Sequence, residues 1–157
     1  MPLTRPLTPD DLDALLPLQE DGAVAALGHI FPQQTHPFPA AEVRSRWVHE
    51  LADPGIRSFA AVEDGELVGF AAVRGAELFH LGTARPTWGS GLAARLHDEV
   101  VAAIAADGHT VAWLRVFEEN RRAIRFYERR GWVATDEVSW SLFPPHPVLR
   151  RFELPLR

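Results

Sequence analysis

The run Ser58-Phe59-Ala60-Ala61-Val62-Glu63, then Asp64-Gly65, then Glu66-Leu67-Val68-Gly69-Phe70-Ala71-Ala72-Val73 reads as strand, two-residue turn, strand. After Arg74-Gly75-Ala76, a further strand candidate passes through Leu78, Phe79, His80 and Leu81, so three short strands follow one another with antiparallel connections. Downstream, Leu92, Leu96, Val100 and Ile104 recur every fourth residue, which predicts an amphipathic helix closed by Gly108. Val111 to Phe117 then reads as a strand and Asn120 to Arg130 as a short helix stopped by Gly131. Trp132 to Phe143 and Val148 to Leu154 form a last strand pair about Pro144-Pro145-His146-Pro147. Upstream, Thr8 before Pro9, Asp10 and Asp11 marks a helix start near Pro9. The proline-rich stretch from Gly28 to Pro39 breaks that helix, and Val43, Trp47, Val48 and Leu51 resume helical spacing. Helix pair, three strands, helix, strand, helix and strand pair make a mixed α/β sheet.

The chain has 157 residues, 46% hydrophobic and 24% charged, the profile of one globular domain spanning 1–157. A chain of this length buries roughly 70% of the surface its unfolded form exposes, so a core needs no covalent staple. With no cysteine, a disulfide framework, a thiol nucleophile and sulfur-ligated zinc are excluded; seven histidines in no spaced motif give no metal site to expect. All 16 basic residues are arginine, which excludes a lysine Schiff base and a Walker phosphate loop. A net charge of −5 disfavours nonspecific attraction to nucleic acid or anionic lipid. The longest strictly apolar stretch, Val100 to Ala106, has seven residues, and the segment from Met1 to Arg5 is no secretory signal. The expectation is a cytoplasmic protein without nucleic-acid or membrane partners, for which a homodimer is left open.

Trp88-Gly89-Ser90-Gly91-Leu92-Ala93-Ala94 lies between a strand and the start of the amphipathic helix. Glycines there let backbone N–H groups approach a ligand, and a helix start adds unpaired donors and the positive end of the dipole. The arrangement suits an anion, most naturally a phosphate, although paired glycines also simply make a tight turn. Ala94 nominally completes a dinucleotide fingerprint, but that motif opens the first βαβ unit of a parallel sheet, whereas a helix pair and a hairpin come first here. A phosphate-bearing cofactor held mainly by backbone amides remains.

The second informative segment is Asn120-Arg121-Arg122-Ala123-Ile124-Arg125-Phe126-Tyr127-Glu128-Arg129-Arg130-Gly131-Trp132. Asn at a strand end, Ala three residues on, Phe-Tyr-Glu on the helix and Gly-aromatic at its close resembles the GNAT acetyltransferase superfamily. The glycine segment is similar to that superfamily's pyrophosphate loop at the expected distance upstream, and the element order matches over nearly the whole chain. Two departures stand out: Trp88 occupies a position where Gln or Arg is usual, and Ala93 replaces the commoner Gly. The resemblance implies a twisted, mostly antiparallel sheet flanked by helices, and transfer of acetyl from acetyl-coenzyme A to a primary amine of a small molecule or peptide by direct attack. It further implies coenzyme contacts along 88–94 and at Asn120, Ala123 and Phe126, and Tyr127 as general acid. By the same resemblance Leu81 and Thr83 fall where backbone groups meet the acetyl carbonyl and the pantetheine, and Glu77 where some members place a carboxylate base.

Read from chemistry alone, Tyr127 is the single tyrosine, and a phenol can donate a proton to a departing thiolate; Phe126 and Tyr127 equally read as core aromatics. Attack by an alkylamine also needs a base. Glu77 is the first candidate, although it also reads as a solvated charge beside the Gly75 turn, and His80 is the second. Simple strand alternation puts Glu77 with Phe79 and Leu81 and turns His80 the other way. The five arginines between 121 and 130 span more than one helix face, which predicts a solvated surface touching coenzyme phosphate rather than a nucleic-acid stripe. In such enzymes the helix pair and final hairpin shape the acceptor pocket, which points to His29, Phe31, Gln33, Gln34 and His36 with Trp140 and His146. The alternative from another class is a catalytically inactive coenzyme-A-binding sensor.

Overall fold

The computed structural model describes residues 2–157. A short strand β1 (Thr4–Pro6) precedes a single 3-10 turn at Pro9–Asp11, where the Thr8 N–H donates to the Asp11 carboxylate at 2.8 Å. That turn leads directly into α1 (Leu12–Leu27), and α2 (Ala40–Ala52) follows the proline-rich loop. Then come β2 (Ile56–Glu63), β3 (Glu66–Arg74), β4 (Glu77–Thr83), α3 (Leu92–Ala106), β5 (Val111–Phe117), α4 (Arg121–Arg129), β6 (Val133–Trp140) and β7 (Val148–Pro155). β1 is absent from the sequence reading because three residues ending in proline carry no alternation; the strand exists through its pairing with β2, Thr4 opposite Ala61.

The seven strands form one sheet in the order β1-β2-β3-β4-β5-β7-β6. All neighbours are antiparallel except β4 and β5, which run parallel and pair in register at Glu77 and Trp113, beside the Trp113 N–H donating to Ala76 O at 3.1 Å. Past that contact the two strands diverge, and the sheet opens between residues 78–83 and 114–117. On one face, Leu92, Leu96, Val100 and Ile104 of α3 are buried against Ala71, Val73, Leu78 and Leu114, with Ile124 and Tyr127 of α4 packed beside them. On the other, Leu12 and Leu15 of α1 and Val43 and Trp47 of α2 cover Ala60 and Phe70.

The face assignment along β4 departs from simple alternation. Ala72 stands opposite His80 but Val73 opposite Leu78, so Phe79 is an extra residue, a β-bulge. Leu78 and Leu81, three apart, therefore both pack on the α3 face, while His80 meets Trp47 of α2, ring centroids 4.9 Å apart. Beyond the bulge the parity reverses, and Glu77 and His80 line the same cavity, contrary to the alternation argument. Among the described residues no helix is long and apolar enough to cross a membrane.

Candidate active site

The opening between β4 and β5 is a cleft of about 810 Å³, walled by β4, β5, the loop before α3, and α4. Gly89 and Gly91 have φ of 84° and 89°, and no atom lies within 4 Å of where a Cβ would project. The left-handed backbone, not crowding, is what demands glycine there, and the amide face stays open. Gly91 caps α3 without a side-chain cap, the Leu92 N–H donates to Ser90 Oγ at 3.3 Å, and the helix ladder begins with the Arg95 N–H to Gly91 O. The Ala93 and Ala94 N–H groups are thus unused by the helix, and both residues line the cleft with Gly89 and Gly91. Ser90 and Leu92 stand outside its wall; the Leu92 side chain belongs to the core.

Opposite this loop, Arg122, Arg125, Arg129 and Arg130 line the cleft. Within this set 122, 125 and 129 are spaced i, i+3, i+7 and share one face, while Arg121 is outside the cleft wall. The Arg122 guanidinium lies 3.7 Å from the centre of the Trp88 ring, and the Trp88 indole N–H donates to Thr83 O at 3.2 Å. Trp88 therefore joins the end of β4 to α4, a contact Gln or Arg would make differently. Both glycine amides and arginine stripe suit a diphosphate with further phosphate, so the residues present fit coenzyme A.

Leu81 and Thr83 line the cleft on the stretch of β4 from which β5 has diverged. Asn120, Ala123 and Phe126 line the other side. Asn120 also caps α4, its side-chain oxygen accepting from the Ala123 N–H at 3.2 Å, a capping role the sequence reading did not include. Tyr127 is set one turn beyond Ala123 among Phe126, Trp132 and His97. Burial pushes its phenol well above the ordinary value of 10, so the hydroxyl is a donor throughout the physiological range. Beneath it the Trp132 indole N–H donates to His97 Nε2 at 2.9 Å, which places the His97 proton on Nδ1, 2.9 Å from Asp98.

A second cavity of about 570 Å³ adjoins the first, bounded by α1, the loop after it, α2, β4, β5 and the β6–β7 connection. Phe31, Gln33, His36 and Trp140 line it. His29 instead bonds Glu119 O, His146 bonds Ser141 O, and Gln34 is not in the wall. Glu77, 2% exposed, lines this cavity while bonded to Arg74 (2.8 Å) and faced by Arg115 (3.7 Å). His80 borders both cavities, and its Nε2 lies 2.8 Å from Glu50 Oε2. Glu50, buried on α2, was missed in the sequence; its position at 47+3, on the helix face that Trp47 buries, was the available signal. Among the described residues no cluster of three or more His, Asp or Glu could hold a metal ion.

A cleft floored by splayed parallel strands, with a glycine-rich helix start on one side and an aromatic-lined cavity on the other, is the architecture of an acetyltransferase fold. Residues 14–132 match the model of the acetyltransferase (GNAT) family, and the chain belongs to that family. It is 34% identical to the uncharacterized N-acetyltransferase Rv2669 of Mycobacterium tuberculosis, over 74% of this chain and 79% of that one. A GCN5-related N-acetyltransferase from Rhodopseudomonas palustris superposes with a TM-score of 0.81 at 19% identity, over 99% and 96% of the two chains. The PaiA N-acetyltransferase from Thermoplasma acidophilum, solved with coenzyme A, superposes with a TM-score of 0.73 at 16% identity, over 98% of each.

Proposed function

We propose that the protein transfers acetyl from acetyl-coenzyme A to a primary amine by direct attack, the amine entering through the second cavity. The observation that carries this reading is the meeting of two cavities at the β4–β5 divergence, with Tyr127 on the first, Glu77 on the second and His80 on both. Bound acetyl-coenzyme A supplies the acetyl group as a thioester, whose C–S bond breaks as the amine nitrogen bonds to the carbonyl carbon. Amides of Gly89, Gly91, Ala93 and Ala94, with the arginines of α4, hold the phosphates; Asn120, Ala123 and Phe126 flank the pantetheine arm. The Leu81 backbone N–H is the candidate donor to the carbonyl oxygen as it gains charge, on the edge that β5 leaves.

Tyr127, held as the neutral phenol, donates from its hydroxyl to the departing sulfur. His80 gives its Nε2 proton in a hydrogen bond to Glu50, which leaves Nδ1 as the lone pair that accepts the amine's proton. Glu77 remains the alternative base, but two arginines hold it as an ion-paired carboxylate, whereas His80 stands at the seam. Calorimetry with acetyl-coenzyme A and a thiol-release assay over an amine panel test the proposal. Tyr127→Phe should bind acetyl-coenzyme A unchanged and turn over about 10²-fold more slowly. Unchanged turnover on a real acceptor would reject Tyr127 as the acid. Coenzyme binding with neither acetylation of any amine nor thioester hydrolysis would favour a sensor.

A further inference from the structure

We propose that the acceptor is a small monoamine whose ammonium is carried on an aromatic, or similarly broad apolar, body. The inference rests on the acetyl-transfer reading, because it takes the second cavity as the acceptor's. Seven Phe and Trp side chains line that cavity, contributed by the loop after α1, α2, β4, β5, the end of β6 and the β6–β7 connection. Phe31 and Phe117 meet edge to face at 5.5 Å across its wall, so rings from distant segments converge on one space. The apolar surface continues to the mouth, where Trp140 is 63% and Leu142 91% exposed; side chains of that size left in water beside a cavity mark a surface that something apolar covers.

Charge on the walls disfavours a second ammonium group deep in the cavity. Glu50 is engaged by His80 and Arg46, and Glu77 by Arg74 and Arg115. Arg46 and Arg115 themselves face the cavity, so a second cation along its length meets positive charge. Glu42, the remaining acid of the wall, is exposed on the first turn of α2, one turn from Arg46. Polar wall groups are also satisfied internally: Gln19 accepts from the Trp47 indole at 2.8 Å, and Gln33 bridges Phe31 O and the Phe38 N–H. Away from Glu42, which carries no ion pair among the described residues and stands in water on the first turn of α2, a polyamine finds both carboxylates of the wall already paired, whereas one ammonium reaches His80 and its apolar body lies along the rings.

The test combines thiol release on 2-phenylethylamine, tryptamine, spermidine and an alanine-initiated peptide with quenching of tryptophan fluorescence as 2-phenylethylamine is titrated into the protein alone. The expected result is a KM for the arylalkylamines about tenfold or more below that for spermidine. Trp140→Ala, at an exposed position that folding does not need, should raise the arylalkylamine KM severalfold with a smaller change in kcat. Spermidine or the peptide preferred, or all four amines used alike, overturns the inference and leaves the acetyl-transfer reading standing. Saturable quenching by 2-phenylethylamine with no amine acetylated supports the ligand class and defeats the transfer reading instead. No saturable quenching together with no arylalkylamine turnover overturns the inference.

Discussion

Glu50 and Glu77 both reach the second cavity from buried positions, and their partners give them different work. Glu50 →Gln keeps a side-chain oxygen for the His80 N–H but removes the charge behind it, so kcat should fall about tenfold or more while acetyl-coenzyme A affinity holds. Glu77→Gln removes the shared counter-charge of Arg74 and Arg115. Those arginine side chains are 46% and 38% exposed, so water compensates them in part, and thermal or denaturant unfolding should show a loss of about 1–2 kcal/mol rather than the larger cost of a fully buried pair. A kcat collapse in Glu77→Gln with stability intact would make Glu77 the base and His80 a bystander. Residue chemistry was legible where the residue type is rare: the single tyrosine and the glycine pair stood out. Glu50 did not, because one acid in a helix carries no mark of its partner until β4 brings His80 against it.

At the scale of elements, β4 was legible as a strand but not as a bent one, since a bulge is set by cross-strand register with Val73 and Ala72, not by local pattern. The same strand carries a steric device. Gly82 stands opposite Phe70, and a Cβ there would come within 2.4 Å of the Phe70 ring. Gly82→Ala should therefore displace Phe70, which lines the cleft proposed for the coenzyme, costing about 1–3 kcal/mol in unfolding and weakening coenzyme binding in calorimetry. A wild-type melting curve and affinity would show that the ring has room to move. The start of α4 is a second case. Asn120→Ala deletes the cap and should cost about 1 kcal/mol. Because Tyr127 lies two turns along that helix, its kcat should drop more than its acetyl-coenzyme A affinity; an affinity loss alone would assign Asn120 to coenzyme contact and not to positioning.

For the molecule as a whole, the pair of helices α3 and α4 closes over a buried imidazole that the proposed chemistry does not use. His97 is 3% exposed, accepts from Trp132 at Nε2 and faces Asp98 at Nδ1. Burial is the largest influence and pulls its pKa below the ordinary 6.5; Asp98 opposes that, and Arg130, just past the end of α4, reinforces it. Protonation would put a donor where the Trp132 N–H now donates, so the folded state holds the neutral form. The unfolded chain binds the proton more readily, and folding stability from this group is complete above about pH 6.5 and declines as pH falls below it, with a slope of up to about 1.4 kcal/mol per pH unit. Asp11 acts in a separate window: Arg5 holds its carboxyl at about 2, so that contribution is lost only as pH falls from the ordinary 3.8 toward 2. Unfolding in urea from pH 7.5 to 4.5 should thus show a loss that His97→Gln flattens and Asp11→Asn does not. Equal pH slopes for the wild type and His97→Gln would mean that the Trp132 contact survives protonation, and that the α3–α4 closure beneath Tyr127 is indifferent to this proton.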